Sequence, residues 1–142
     1  MHTKFTAIKI SLAILLVALI SSCDSKPDPN DSIKYLNGFW EIDEAILPDG
    51  TVTKYSSNIT VDYIEVEGLE ATRKKVVPVP TGGFTRTTSE ETFIITVEED
   101  SLRLYYATPF DSWKETVINL DADEFRVRGK NNRIYIYKRY SF

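Results

Sequence analysis

The chain has 142 residues, with 17 basic and 21 acidic side chains and a net charge of −4 at neutral pH. A single Cys excludes an intrachain disulfide, and one Cys with one His is too few donors for a zinc site built from thiolates and imidazoles. The acidic balance argues against nucleic acid as a partner, because phosphates are held by clustered Lys and Arg.

At the N-terminus, Lys4 and Lys9 precede an apolar run over residues 10–20. A spanning helix needs about 20 apolar residues, so the run reads as the core of a signal peptide. An uncleaved membrane anchor is the alternative reading. The run ends in Ile20, Ser21, Ser22 and Cys23. This ending resembles the lipobox of bacterial lipoproteins, in which an aliphatic and two small residues precede a Cys. The resemblance implies lipidation of Cys23, including palmitate-type chains, and cleavage after Ser22. One acyl chain binds a membrane only marginally, at about 0.8 kcal/mol per buried methylene, so several chains on one Cys make a stable anchor. The expected location is the bacterial cell envelope, with the outer membrane favoured, on its periplasmic or surface face. Asp24 does not decide between membranes, since an acidic residue after the lipidated Cys retains lipoproteins in the inner membrane of some lineages and exports them in others.

Removal of residues 1–22 takes away His2, Met1, Lys4 and Lys9 and leaves a net charge of 15 − 21 = −6. The mature chain then has no His, no Met and no free thiol. Ser-His-Asp and Cys-His catalysis both need an imidazole, so no enzyme, metal or cofactor is expected.

Residues 24–32, "DSKPDPNDS", carry two prolines, three aspartates and no large apolar side chain. Such a segment buries too little to offset its ordering entropy and is expected to be an extended tether. The three units expected are therefore a signal peptide over 1–22, a lipidated Cys and tether over 23–32, and one folded domain over 33–142.

Within the domain a helical period is nearly absent, apart from a possible turn near residues 32–36, and period-2 runs bounded by turn residues dominate. Trp40, Ile42 and Ile46 share a first strand, and the Pro48-Asp49-Gly50 turn leads into a second. The second run, from Val52, is interrupted at Ser56-Ser57-Asn58 by a turn or a bulge and resumes at Ile59. Further strands are expected over residues 72–77, 84–88, 92–97, 102–107, 113–120, 124–128 and 134–140. Short connections force antiparallel neighbours, and closure into a barrel removes exposed edges. The expected fold is all-β, an eight- to ten-stranded antiparallel up-and-down β-barrel.

Gly38-Phe39-Trp40 resembles the Gly-x-Trp signature that opens the first barrel strand of lipocalins and their calycin relatives, and Arg139 stands where that family places an Arg against the Trp. Together with the "PDG" turn and "TPFDSWKE" over residues 108–115, residues 33–142 resemble the lipocalin-like domains of bacterial lipoproteins. The chain departs from secreted lipocalins in being shorter, lacking the usual disulfide and lacking a helix after the last strand. The resemblance implies a structural role for Gly38, Trp40 and Arg139, with Arg139 capping the Trp40 ring.

Candidate ligand contacts are Trp113 and Phe110, aromatic residues near an expected barrel mouth, together with Tyr106 and Tyr63, for a small and at least partly apolar ligand. A filled core is the competing reading for each, because a small eight-stranded barrel is either packed solid or holds one small ligand. The strand over 113–120 carries Trp113, Glu115, Val117 and Asn119 on one face, which suggests polar groups facing the interior or a bulge that switches faces. Arg73-Lys74-Lys75 reads as a solvated edge strand. Glu90-Glu91, Glu98-Glu99-Asp100 and Asp121-x-Asp123-Glu124 read as solvated turns, not acid/base pairs. Ser32 and Ser101 lie in short Asp-Ser-aliphatic motifs that some envelope bacteria O-glycosylate. Two functions from different classes follow: a lipid-anchored binder of a small ligand, or a non-enzymatic interaction or inhibitor module with a filled barrel core that binds another envelope protein.

Overall fold

A computed structural model describes residues 28–142. The signal segment 1–22, the lipidation expected at Cys23 and residues 24–27 of the tether lie outside the described residues. Nine strands follow in order: β1 Gly38–Ile46, β2 Val52–Lys54, β3 Val61–Glu67, β4 Glu70–Pro78, β5 Phe84–Glu98, β6 Ser101–Ala107, β7 Ser112–Leu120, β8 Glu124–Arg128 and β9 Ile134–Arg139. Each strand from β3 to β9 pairs antiparallel with the next, and β1 pairs with both β3 and β9. Eight strands thus close into an up-and-down barrel. The ninth, β2, pairs only with the far end of β1 through Glu44–Lys54, Ala45–Thr53 and Ile46–Val52.

Alternation in the sequence sets the faces. In β6, Leu102, Leu104 and Tyr106 are buried while Tyr105 between them is exposed. A slip of one residue would turn all three to solvent, so burial pins the register. β7 is bulged between Val117 and Asn119, which reconciles its mixed pattern: Trp113, Glu115 and Val117 share the inward face, and Leu120 returns to the core after the bulge.

Three local expectations are corrected. The two strands expected over 84–88 and 92–97 are one fifteen-residue strand, β5, because Ser89-Glu90-Glu91 supplies no Gly or Pro to break it. Pro29–Ser32, expected to be extended, is a helical turn whose N-cap Asp28 accepts from the Asn30 amide, and a 3-10 turn over Ile33–Tyr35 follows. Arg73-Lys74-Lys75, read as an edge, lies in β4 with β3 on one side and β5 on the other. The interruption near Asn58 is held by that residue, whose side-chain amide donates to Ile42 O at 2.9 Å and Glu41 Oε1 at 3.1 Å.

The two barrel ends differ. At one end the β3–β4, β5–β6 and β7–β8 turns meet the start of β1 and the end of β9. Trp40 and Leu36 are fully buried there with Phe125, and the Trp40 indole donates to Leu36 O at 2.9 Å. Arg139 covers this end, its guanidinium carbon 3.7 Å from the Trp40 ring centroid. It also donates to Tyr35 O, Asn37 O and Ala122 O at 2.7, 2.8 and 2.9 Å. At the opposite end, the open end, lie the β4–β5, β6–β7 and β8–β9 loops.

Candidate functional site

Above the apolar base the barrel carries a layer of charge. Period-2 alternation turns Asp62 of β3, Arg73 of β4, Tyr106 of β6, Glu115 of β7 and Tyr137 of β9 inward. Arg73 is the hub. Its Nη2 donates to Asp62 Oδ2 at 2.5 Å and its Nη1 to the Tyr106 hydroxyl at 3.3 Å. Its guanidinium carbon stands 4.9 Å from the Tyr137 ring centroid, and Glu115 Oε2 is 3.7 Å from Nη1. Lys75 reaches Asp62 Oδ1 at 2.5 Å, as an ion pair without the alignment of a hydrogen bond.

The two buried carboxylates differ. Burial pushes Asp62 up, but Arg73 and Lys75 together outweigh it and hold its carboxyl below the ordinary range. Burial also pushes Glu115 up, and here it wins over Arg73 and the neighbouring Tyr106 hydroxyl. Glu91 and Asp62 add to the rise by repulsion. Glu91 sits opposite Arg73 in the β4–β5 register, so it shares the inward face. Three carboxylates therefore face two cations. Glu115 is 8% exposed, and its Oε2 has no hydrogen-bond partner. The Tyr137 hydroxyl, buried beside the same charges, is pushed up to about 12.

Trp113 roofs this layer at the open end. Its ring stacks on Tyr106, with centroids 4.8 Å apart and planes 4° from parallel. Lys130 Nζ lies 5.1 Å from the Trp113 ring centroid and is ion-paired with Asp111. The β8–β9 and β6–β7 loops are thereby clasped across the indole.

Of the four aromatic residues expected to contact a ligand, only Trp113 and Tyr106 come together. Phe110 is 96% exposed at the β6–β7 loop. Tyr63 lies on the outer wall, 4.7 Å from Phe39 and 5.8 Å from Phe84, in an aromatic cluster that Phe142 joins. The alternation decides this: Tyr63 is opposite Phe39, and Trp40 and Asp62 take the inward positions. The sequence did not bring Arg73, Asp62 and Glu115 together as a site. The mixed face of β7 pointed to Glu115, but the pairing of Arg73 with Asp62 depends on the β3–β4 register.

The interior is packed. Asp62, Ile64, Phe93, Leu104, Tyr106 and Val127 are each at most 2% exposed, so no water-filled calyx reaches them. Two grooves of about 490 and 480 Å³ lie outside the interior. The first runs over the outer wall of β3 to β6 between Glu65, Glu67, Glu70, Ile94 and Tyr105. The second lies beside the N-terminal helical turn and includes Ser32 and Ser101. Among the described residues no group of three His, Cys, Asp or Glu is placed to hold a metal, and no helix is long and apolar enough to cross a membrane.

The chain matches no protein-family model and no curated protein. Solved structures similar to it include a lipocalin-like protein from Bacteroides uniformis, at 13% identity and a TM-score of 0.47 over 74% of this chain and 98% of that one. An uncharacterized protein from Bacteroides eggerthii is similar at 11% identity and a TM-score of 0.48 over 74% and 99%. Lobster apocrustacyanin A1 is similar at 10% identity and a TM-score of 0.46 over 80% and 65%. At such identities a likeness concerns the fold alone, and the strand order speaks for itself: with eight antiparallel strands in sequence order and β1 closed against β9, the chain is a lipocalin-like β-barrel.

Proposed function

We propose that the protein is a non-catalytic binding protein of the bacterial cell envelope, held to its membrane through lipid on Cys23, that takes a small ligand at the open end of the barrel. The observation that carries this reading is the Trp113–Tyr106 stack lying directly over a buried charged layer. An aromatic wall backed by a few convergent polar groups is the usual make-up of a small-molecule site. Because the barrel below is filled, the ligand binds shallowly, with an apolar portion against Trp113. The test is titration of the mature protein with a panel of lipids and aromatic compounds, read by the two indole resonances. Binding at the open end moves the Trp113 resonance and leaves that of Trp40 in place; a panel that moves neither removes the reading. The anchor is tested separately, by intact mass and membrane fractionation of the wild type against Cys23→Ser.

A second reading, an interaction or inhibitor module for another envelope protein, is favoured by the outer groove with Ile94 and Tyr105 between acidic residues. Cross-linking in whole cells, compared with an Ile94→Glu variant, tests it.

A further inference from the structure

We propose that the open-end site is built for an organic cation, and that the Lys130 ammonium is a built-in plug which the ligand displaces. The inference rests on the small-ligand reading above and names the ligand's class.

Three observations converge. The outward side of the Trp113 ring is taken by an ammonium, Lys130 Nζ, 5.1 Å from the ring centroid, while Tyr106 stacks on the ring 4.8 Å away. An indole face attracts cations through its quadrupole, and the attraction grows when water is excluded. Asp111 pairs with the same ammonium, so charge and ring define one cation position. Beneath it lies Glu115, one pleat further into the barrel on the same face of β7 as Trp113. The Glu115 carboxylate is buried, its Oε2 lacks a hydrogen-bond partner, and its Oε1 is 3.8 Å from where a Cβ on Gly129 would stand. Gly129 opens the β8–β9 loop that carries Lys130, so movement of that loop uncovers the carboxylate. Glu115 Oε2 stands 3.7 Å from Arg73 Nη1 without a hydrogen bond, and a ligand ammonium that donates to the carboxylate adds a bond it lacks.

The plug is able to leave. Both Lys130 and Asp111 are about half exposed, at 52% and 55% of their side chains, and an ion pair of that exposure is worth roughly 0–1 kcal/mol. Inside the loop Asn131 and Asn132 adopt φ of 56° and 57°, left-handed values that Asn tolerates better than most residues. Opening therefore sacrifices little, and a ligand that offers its own ammonium to Trp113 and Asp111 restores what the lysine gave.

The experiment compares three probes of one shape, phenethylammonium, the neutral 2-phenylethanol and the anionic phenylacetate, against the full mature chain, read by the Trp113 indole resonance. The expected order is ammonium first, with Lys130→Ala binding it about threefold more tightly because the plug is gone, and Glu115→Gln about tenfold more weakly. Binding of 2-phenylethanol should be the same in wild type and Glu115→Gln. If the neutral or anionic probe binds as tightly as the ammonium, the cation assignment is wrong while the open-end site survives. If no probe moves Trp113 in wild type or in Lys130→Ala, both fall. Lys130 is half exposed, so its variant keeps the test valid even if Glu115→Gln fails to fold.

Discussion

The guanidinium of Arg139 fills the space that a side chain at residue 38 would need: a Cβ on Gly38 would stand 2.8 Å from Arg139 Nη1. Gly38 also has φ of +116°, a conformation that side chains resist. Gly38→Ala should therefore destabilise the protein by about 1–3 kcal/mol. The effect should shrink in an Arg139→Ala background, where the clash is gone and only the backbone strain remains. Urea midpoints of the four proteins measure this; an equal loss in both backgrounds means that the close approach is harmless.

Arg139 joins the N-terminal turn, the β7–β8 turn and Trp40 through three carbonyls and one ring. Arg139→Lys keeps the charge but not the planar fork, so it should lose nearly as much as Arg139→Ala, on the order of 2–3 kcal/mol. In a double-mutant cycle with Trp40→Phe the two changes should couple by about 0.5 kcal/mol or more, since the weaker ring lessens the cation–π contact. Strict additivity counts against the pairing.

Glu115 gives a pH signature. Its folded pKa is raised from the ordinary 4.5, so the folded protein holds that proton more tightly than the unfolded chain does. Its contribution is fully present below the unfolded value and is lost as pH rises through the folded one. Glu115→Gln should be more stable than wild type at pH 7 by a few degrees in Tm, with the gain vanishing near about pH 4. Asp62 has the opposite sign: its folded pKa is lowered from 3.8, so its stabilisation is present above that value and fades as pH falls through the lowered one. Thermal melts across this range, with Asp62→Asn as the second variant, separate the two.

Arg73 compensates both buried carboxylates, and removing it strands them. Arg73→Met should cost about 3–5 kcal/mol, the usual penalty for breaking a buried ion pair from one side. Adding Glu115→Gln to that variant should recover part of the loss, because one stranded charge is then neutral. Denaturant unfolding of the single and double variants checks this, and no recovery would show that Glu115 is already protonated beside Arg73.

Much of the barrel was legible because a strand's burial pattern is local. Leu102, Leu104 and Tyr106 declare their face without reference to any other strand, and Pro48-Asp49-Gly50 declares a turn. Where strand signals were interrupted by polar but unbroken chain, as at Ser89-Glu90-Glu91, local pattern misled, since only pairing with β4 and β6 shows that β5 runs through. The candidate site was legible in fragments. Trp113 and Tyr106 stood out as aromatic residues, whereas Arg73 looked solvated because its neighbours are lysines.

By itself the sequence determined the all-β class and the meander order of the strands. These follow from period-2 alternation and short connections, which act over a few residues. The tertiary structure decided which charges meet inside. Asp62, Arg73, Tyr106 and Glu115 come from four strands, and their contact depends on the register of three strand pairs and on closure of the barrel. Closure also decided that the interior is filled and not hollow, because filling depends on how side chains from opposite walls interleave, and no single strand carries that information.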